Sequence, residues 1–324
     1  GYAINLSSLS DHGPFSLKVT GKLFAGNQLE GNTNEAVRIM TGASIPLGLN
    51  AVIPQEYVEM NEGVITFTTK PQVNQNIRRI GEDIKSGDTV LQKGRQIKAC
   101  DLGLLASLGI DSIKVYRKIK VAFFSTGDEI ISLGHSISHG QVYDSNRYSL
   151  IGLLKRLDVE ILDLGVIPDN KKMIEDVLRK ASDSADVVIT TGGVSVGEAD
   201  YMKEILKSIG EILFWKISIK PGRPLAYGKI GSTHYFGLPG NPVSTMVTFY
   251  QFVREAIVTL SGQTPIPKIP LIKAKLLSPI KKIPGRTEFQ RGIYEQDDEG
   301  IFKVTPLKEQ GSGILRSMSE GNCF

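Results

Sequence analysis

The chain has 324 residues, 41% of them hydrophobic, and a formal net charge of +4, so its length predicts two or three domains with sizeable cores. The small charge excess and the absence of a lysine–arginine tract argue against a nucleic-acid partner, but they suit small anionic substrates. No apolar run approaches the roughly 18 residues of a membrane span, no signal peptide occurs, and the two cysteines, Cys100 and Cys323, form no metal or disulfide motif; we expect a cytoplasmic protein without membrane association.

Residues 1–80 predict a β-rich domain. Segments such as Ser16–Thr20 and Gly63–Thr68 alternate apolar and polar side chains between glycine and asparagine turns, which is typical of strands with one buried face. Residues 81–117 predict the remainder of a helical or linker domain, with one short helix at Cys100–Leu108. The chain begins at Gly1 without an initiator methionine, which is typical of a fragment.

Residues 118–266 predict an α/β domain, because apolar strands alternate with segments of helical period. Short strands without polar residues indicate a doubly wound, mostly parallel sheet covered by helices on both faces. The predicted strands are Val121–Phe124, Val159–Leu162, Val187–Ile189, Phe214–Ile219 and Tyr235–Leu238. The predicted helices are Arg147–Leu157, Lys171–Ala181, Asp200–Ile209 and Pro242–Leu260.

Residues 267–324 return to short strands and predict a small C-terminal β-barrel. The predicted strand segments are Ile272–Leu277, Glu288–Tyr294 and Ile301–Thr305, and they are separated by proline and acidic turns. The proline-rich stretch 265–270 before them is typical of a semi-rigid hinge.

Ligands of open α/β sheets bind beyond the carboxyl ends of the strands, and the first predicted strand ends in two adjacent carboxylates. Asp128 and Glu129 follow it directly, in the segment Ser125–Glu129. Such a pair can hold Mg²⁺ or accept hydrogen bonds from the amino groups of a heterocycle. An aspartate that caps a turn explains the motif equally well.

Two further strand ends are rich in glycine. The loop Thr190–Gly197 lets backbone N–H groups approach a phosphate closely, and Asp200 after it can cap the next helix or bind a metal. In Gly237–Ser244, Asn241 and Pro242 fit the cap and first position of a helix whose N-terminus faces the sheet edge as an anion site. Capping alone accounts for Asn241 and Pro242 but not for the glycines.

A cationic segment, Lys216–Pro224, follows the fourth predicted strand. If residues 216–220 form a strand, Lys216, Ser218 and Lys220 share one face, and Arg223 follows a Pro-Gly turn. Clustered cations on a stiff loop suit an oxyanion, whereas an exposed edge strand is the alternative explanation.

Five other polar positions are weaker signals. Asp83, Asp144 and Asp169 are each, taken alone, typical of a turn or cap. His135 and His139 lie in a predicted loop, which argues against a metal site.

Six segments in this order resemble the MoeA-type molybdopterin molybdenumtransferases, the family that includes the gephyrin E domain, and the resemblance covers essentially the whole chain. The segments are Arg38–Ala43, Thr126–Glu129, Thr190–Gly197, Lys220–Pro224, Leu238–Pro242 and Phe289–Gly292. The resemblance implies molybdenum cofactor biosynthesis by insertion of molybdate into adenylylated molybdopterin, with Mg²⁺-dependent release of AMP. It also implies an elongated homodimer with a shared cleft, and a molybdopterin adenylyltransferase as pathway partner.

Carried over by motif, the resemblance implies three groups of site residues. The catalytic group is Thr41, Asp83, Glu129, Asp169, Asp200, Lys216 and Lys220, with Glu129 and Asp200 assigned to Mg²⁺. The molybdate- and phosphate-binding group is Lys220, Arg223, Ser244, Arg291 and Ser312, and the pterin and nucleotide loops supply Gly192, Gly193, Ser195, Gly240, Asn241 and Pro242. Cations and hydroxyls suit a tetrahedral dianion, and a metal with lysine and arginine stabilises charge on phosphoryl oxygen.

The family pattern places an active-site aspartate and a small helical segment before Gly1, and a further strand after Phe324. We therefore expect this chain to fold but to be impaired in catalysis or dimerisation. Two alternatives are a molybdopterin adenylyltransferase, whose glycine loop usually reads Gly-Gly-Thr-Gly where this chain has Gly192-Gly193-Val194-Ser195, and a gephyrin-like scaffold.

Overall fold

The structure is a computed structural model that describes residues 1–28, 35–193 and 199–324, with residues 199 and 200 described by their backbone alone. The chain divides into two compact units, Gly1–Val90 and Leu91–Phe324. None of the helices in the described ranges combines the length and the apolar composition needed to cross a bilayer.

The N-terminal unit is built on one six-stranded mixed sheet. Its strands are β1 (Tyr2–Ile4), β2 (Phe15–Leu23), β3 (Ala36–Ile39), β4 (Ala51–Ile53), β5 (Glu59–Asn61) and β6 (Val64–Phe67). Their order is β4-β1-β3-β2-β6-β5, and β2–β3 is a parallel pair among antiparallel ones. Alternate residues such as Ile65 and Phe67 are buried in one core, which confirms the predicted β-rich region.

The C-terminal unit contains seven helices and thirteen strands within the described residues. Its first part comprises α1 (Ala99–Ser107), β7 (Lys120–Thr126), β8 (Ile130–Ile131), β9 (Val142–Tyr143), α2 (Ser145–Lys155), β10 (Glu160–Ile167), α3 (Lys171–Ser184), β11 (Val187–Thr191) and α4 (Ala199–Ile209). The remainder comprises β12 (Glu211–Phe214), β13 (Ile219–Lys220), β14 (Ala226–Ile230), β15 (Thr233–Leu238), α5 (Pro242–Thr248), α6 (Arg254–Leu260), β16 (Lys275–Leu276), β17 (Thr287–Glu288), β18 (Gly292–Gln296), β19 (Phe302–Pro306) and α7 (Arg316–Glu320).

The central sheet is mostly parallel, as predicted. Its order is β10-β7-β11-β15-β14-β12; the first four strands are parallel, and β14 and β12 extend the sheet antiparallel. The predicted helices between the strands are confirmed, and a π-helical turn at Phe249–Val253 joins α5 to α6. The carboxyl ends of β7, β11 and β15 therefore meet at one edge of the sheet.

The sheet is covered on both faces because its central strands are apolar on both sides. Val121 and Phe123 of β7 pack with α2, α5 and α6, whereas Ala122 and Phe124 pack with α3 and α4. Successive strand side chains point to opposite faces, so a strand buried on both sides needs an unbroken apolar run.

The predicted strand Phe214–Ile219 is wrong. The sheet strand β12 ends at Phe214, and residues 215–218 leave the sheet before β13 begins at Ile219. The apolar residues of 214–219 suggested a core strand, but β12 is an antiparallel edge strand that alternates exposed and half-buried residues. The strand β14, which contains Gly228, was not predicted at all, because its glycine weakens the strand pattern.

The C-terminal segment is β-rich, as predicted. Strands β16, β19 and β18 form a three-stranded sheet, and β17 pairs in parallel with β13 of the α/β region. That pairing sets Lys220 opposite Glu288. The segment at Thr287 and Glu288 therefore lies against the cationic segment between β12 and β14.

Candidate functional site

A cavity of about 480 Å³ opens at the carboxyl edge of the central sheet. It is bordered by the ends of β7 and β11, by the turn from β15 into α5, and by the first turn of α2. Of the predicted site residues it collects Glu129, Gly192, Gly193, Gly240, Asn241 and Pro242. We refer to it below as the strand-end pocket.

Two glycine loops meet at the floor of the strand-end pocket. Gly192 and Gly193 have φ values of +84° and +66°, and a Cβ atom on Gly192 would overlap the Thr126 carbonyl oxygen. A Cβ atom on Gly240 would lie 3.8 Å from Cα of Gly192. Gly192 therefore lies against the end of β7 with a closeness that only glycine permits, and the turn at Gly240 lies beside it at ordinary contact distance.

The helix α5 begins at this floor, as the Asn241-Pro242 motif predicted. Asn241 occupies the cap position and Pro242 the first helical position, but the Asn241 side chain makes no capping hydrogen bond. The backbone N–H of Val243 donates to the Ser312 carbonyl at 3.1 Å. Ser244 follows and is 3% exposed, so the C-terminal segment around Ser312 lies against the first turn of α5.

Arg291 is a buried cation beside this turn. Its side chain is 2% exposed; Nε donates to Ser317 Oγ at 3.1 Å, and Nη2 donates to the carbonyls of Glu309 and Gly311 at 3.3 and 3.2 Å. Burial lowers the pKa of Arg291, whereas the carboxylate of Glu288 acts in the opposite direction without forming a salt bridge to it. A buried cation whose direct partners are all neutral is costly, which favours an anionic ligand here.

The other predicted cations are solvent-exposed. Lys220 pairs with Glu288 at 2.9 Å (Nζ to Oε1), and the Lys220 side chain is 51% exposed whereas that of Glu288 is 11% exposed. This ammonium group holds the pKa of Glu288 below its usual range. Lys216 and Arg223 are exposed, and because Lys216 lies outside any strand, the predicted shared strand face of Lys216, Ser218 and Lys220 is wrong.

An acidic group lies just beyond the end of β7, where Glu129 borders the pocket. Asp128 Oδ1 accepts a hydrogen bond from the backbone N–H of Asp169 at 3.1 Å. Burial, followed by the nearby carboxylates of Asp128 and Glu129, raises the pKa of Asp169. The predicted residues Glu129 and Asp169 therefore lie in one electrostatic environment.

Four further predicted residues either belong to the N-terminal unit or have no described side chain. Thr41 and Asp83 lie on exposed turns of the N-terminal unit. Ser195 lies outside the described residues, and Asp200 lies in the first turn of α4, where only the backbone is described.

Sequence reasoning missed nine polar or proline residues of the pocket wall. They are Ser125, Thr126, Tyr143, Asp144, Ser145, Asn146, Thr191, Pro224 and Pro239. Asp144 was interpreted as a turn or cap residue, and it does cap α2, since its Oδ1 accepts from the Arg147 N–H at 3.0 Å. The signal that could have found it is position, because a helix that follows a parallel strand begins at the ligand-binding edge.

Three family descriptions match successive parts of the chain. Residues 1–109 match the MoeA N-terminal region (domain I and II), residues 122–259 match a probable molybdopterin binding domain, and residues 273–324 match the MoeA C-terminal region (domain IV). The strand-end pocket lies within the second match.

Similar proteins of known name lead to the same family. A molybdopterin molybdenumtransferase of Haemophilus influenzae is 49% identical over all of this chain and 80% of its own length. Gephyrin of Dictyostelium discoideum is 34% identical over 92% of this chain, which spans about half (47%) of gephyrin. The crystal structure of a molybdopterin biosynthesis MoeA protein from Pyrococcus horikoshii OT3 is 33% identical, with a TM-score of 0.83 over 99% of this chain and 80% of that one.

The order of the three matched regions and the full-length similarity to these proteins agree with the motifs that meet at the strand-end pocket. This chain belongs to the molybdopterin molybdenumtransferase (MoeA) family, the enzymes of molybdenum cofactor biosynthesis.

Proposed function

We propose that this chain inserts molybdate into adenylylated molybdopterin and releases AMP, with Mg²⁺ as cofactor. The observation that carries the proposal is the buried Arg291, which lacks a carboxylate partner among the described residues and contacts the Gly311 carbonyl. The next residue, Ser312, contacts the first turn of α5, and that turn borders the strand-end pocket. An anion site and a pocket for a larger ligand therefore adjoin.

Molybdate is a tetrahedral dianion, and the proposed site offers it cations and hydroxyl groups. Arg291 supplies a fixed guanidinium group, while Lys220 and Arg223 are exposed. Lys220 must exchange its contact with Glu288 for the oxyanion. Ser244 and Ser312 add donors beside the N-terminus of α5, whose dipole favours negative charge.

The strand-end pocket suits the pterin and nucleotide parts of the substrate. Its volume of about 480 Å³ is within the usual range for small-molecule sites. Gly192, Gly193 and Gly240 bring backbone close to the ligand, which is how glycine loops accommodate phosphate. The cleaved bond is the phosphoanhydride between the pterin phosphate and AMP, and water supplies the incoming oxygen.

The acidic border fits a hydrated divalent cation. Asp128, Glu129 and Asp169 interact electrostatically, but among the residues with described side chains no three acidic, histidine or cysteine groups are placed to share one metal ion. Mg²⁺ usually keeps several waters and one or two carboxylates, so Glu129 and Asp169, with Asp200, would hold it. When bound, Mg²⁺ neutralises charge on phosphoryl oxygen.

We also propose a cytoplasmic homodimer that receives its substrate from a molybdopterin adenylyltransferase. Free Cys100 and Cys323 support a reducing compartment. The homodimer is carried over from the family resemblance. Sedimentation velocity measures the dimer directly, and a protein that sediments as a monomer well above the assay concentration would reject it.

The alternatives are less well supported. A molybdopterin adenylyltransferase resembles the α/β domain alone, whereas this chain also matches the MoeA N-terminal and C-terminal regions. A gephyrin-like scaffold requires no occupied anion site, and it gives no reason for burying Arg291 without a salt-bridge partner among the described residues.

Replacing Lys220 by alanine tests the function. We expect kcat/KM for molybdate-dependent AMP release to fall by about 10- to 100-fold, because a charged contact to the oxyanion contributes on the order of 1.5–3 kcal/mol. The assay contains the protein, Mg²⁺, molybdate and adenylylated molybdopterin, and it quantifies AMP.

Lys118→Ala is the matched control for this assay. Lys118 is also an exposed, ion-paired lysine (with Asp158), but it precedes β7 at the opposite edge of the sheet, so activity should be unchanged. Wild-type protein that releases no AMP in response to molybdate would reject the proposed function.

A further inference from the structure

The wall of the strand-end pocket contains three buried polar atoms with no hydrogen-bond partner among the described residues: Thr126 Oγ1, Asp144 Oδ2 and Asn146 Oδ1. All three residues border the pocket and are 3%, 3% and 8% exposed, respectively. We call these atoms the acceptor set. A buried polar group without a partner costs about 1–3 kcal/mol, so their concentration at one cavity requires an explanation.

We infer that the acceptor set recognises N–H or O–H groups of the bound ligand, and that Asp144 determines specificity for a ligand that presents such donors. The inference rests on the proposed function, since it concerns the substrate of the same pocket. It adds residues that the motif comparison did not assign.

Asp144 gives the strongest support for the inference, because one of its two carboxylate oxygens has a hydrogen-bond partner and the other has none. Oδ1 accepts the N–H of Arg147 at 3.0 Å and caps α2, and this cap fixes the orientation of the side chain. Oδ2 is left buried at the pocket without a donor. An ionised carboxylate oxygen can only accept hydrogen bonds, so it selects a donor on the ligand.

The side chain of Asn146 is held in one orientation by a hydrogen bond to the backbone of Gly240. Its Nδ2 donates to the Gly240 carbonyl at 2.7 Å. Because a carbonyl can only accept, the amide must present nitrogen to Gly240, and the opposite atom, Oδ1, is therefore the free acceptor. The contact also ties the first turn of α2 to the glycine turn before α5.

Thr126 is the third member and is the last residue of β7. Its neighbour Ser125 is satisfied, since Ser125 Oγ accepts from Thr191 Oγ1 at 2.9 Å. The Thr126 hydroxyl has no such partner and can either donate or accept. At the end of β7, the Ser125 hydroxyl is therefore used within the fold, whereas the Thr126 hydroxyl is left without a partner among the described residues.

Two parts of adenylylated molybdopterin offer matching donors. The ribose carries two hydroxyl groups, and the adenine and pterin rings carry amino groups. Carboxylates that bind ribose hydroxyls recur in nucleotide sites of open α/β sheets, but the shared chemistry is a donor directed at a buried acceptor, and the ligand series below separates the sources.

Asp144→Asn tests the inference with little structural change. Asparagine caps helices as well as aspartate does, so its carbonyl oxygen can keep the Arg147 contact while its NH₂ replaces the free acceptor with a donor. We expect the affinity for AMP or for adenylylated molybdopterin, measured by isothermal titration calorimetry, to fall by about 10- to 100-fold.

The ligand series identifies the donor. If the effect of Asp144→Asn on AMP disappears with 2′,3′-dideoxy-AMP, the donor is a ribose hydroxyl; if it disappears with IMP, the donor is the adenine amino group. An effect seen with adenylylated molybdopterin but not with AMP assigns the donor to the pterin part. Each of these outcomes supports the inference.

Matched variants control for the loss of a carboxylate and for the hydroxyl. Asp298→Asn makes the same exchange at an exposed turn before β19, away from the pocket lining, and should leave every affinity unchanged. Thr126→Val should weaken binding, whereas Thr126→Ser should retain it.

If Asp144→Asn bound all four ligands as tightly as the wild type does, the inference would be overturned. Ordered water would then satisfy the atoms of the acceptor set. That result would leave the proposed function intact if AMP release remained dependent on molybdate. A wild-type protein that binds none of the four ligands would overturn the inference and the proposed function together.

Discussion

The cationic side chains of the proposed anion site differ in their surroundings. Arg291 is enclosed by backbone carbonyls and Ser317, so its guanidinium group is held in place before any ligand arrives. Lys220 is half exposed and paired with Glu288. A rigid buried cation provides geometry, whereas a mobile paired cation can follow an entering anion.

Asp169 provides a test of the acidic border through pH. Burial and the carboxylates of Asp128 and Glu129 raise its pKa. A carboxyl group with a raised pKa in the folded state binds its proton more tightly there, so its contribution to stability is present at low pH and is lost as pH rises through the folded pKa. We expect Asp169→Asn to be more stable than the wild type near pH 7, with the difference shrinking towards about pH 3.5.

Urea unfolding at several pH values measures this difference. Asp298→Asn, which changes an exposed aspartate in the turn before β19, should show no such gain. Mg²⁺ should raise the stability of the wild type more than that of Asp169→Asn. Equal pH profiles for wild type and Asp169→Asn would show that the acidic border carries no repulsion.

The glycine loops show how the elements create the pocket. Gly192 approaches the carbonyl of Thr126 so closely that no side chain fits, and this approach brings the ends of β11 and β7 together. The β13–β17 pair contributes in a different way, by joining residues about 70 positions apart (Ile219 opposite Thr287). Neither contact follows from a local pattern.

Gly192→Ala should disrupt the pocket. The residue has φ +84°, and the added Cβ would overlap the Thr126 carbonyl; we expect a loss of more than about 2 kcal/mol in the free energy of unfolding and at least a tenfold loss in AMP affinity. Thermal unfolding and calorimetric titration measure the two effects.

Gly231→Ala is the matched variant for the backbone conformation alone. Gly231 also has a positive φ, +59°, but a Cβ there meets nothing within 4 Å. The expected cost is about 1 kcal/mol with unchanged AMP affinity. If both variants behaved alike, close packing at Gly192 would not be what shapes the pocket.

At the scale of the whole molecule, each of the two units has its own core. Ile65 is fully buried in the N-terminal unit and Leu150 is fully buried in the C-terminal unit. The residues that border the strand-end pocket all belong to the C-terminal unit. Ligand binding to the pocket should therefore depend on one core more than on the other.

Ile65→Ala and Leu150→Ala test this dependence. Each should lower the free energy of unfolding of its unit by about 2–5 kcal/mol through loss of burial and cavity formation. Ile65→Ala should retain AMP affinity, whereas Leu150→Ala should weaken it, because α2 carries Leu150 and begins at the acceptor set. Calorimetric scans with and without AMP measure the stability of each unit and the binding of AMP. Loss of AMP binding in a folded Ile65→Ala protein would contradict the expectation.

Much of the α/β fold could be predicted because its signals are local. The apolar runs of β7 and β11 and the helical periods of α2 to α4 depend only on nearby residues. The strand β14 and the edge strand β12 could not be recognised, since their roles depend on partners across the sheet. Likewise, Asp144 has the same local sequence whether it only caps a helix or also lines a pocket.

The sequence by itself determined most of the order of strands and helices, the family motifs and the three polar strand ends, because these follow from periodicity and from residue chemistry. Only the tertiary structure decided that Gly192 lies against the Thr126 carbonyl, that Arg291 is buried, and that Asp144 and Asn146 keep unpaired acceptors at the pocket. The physical reason is that burial and hydrogen-bond satisfaction are properties of the packed surroundings, which residues distant in the chain supply.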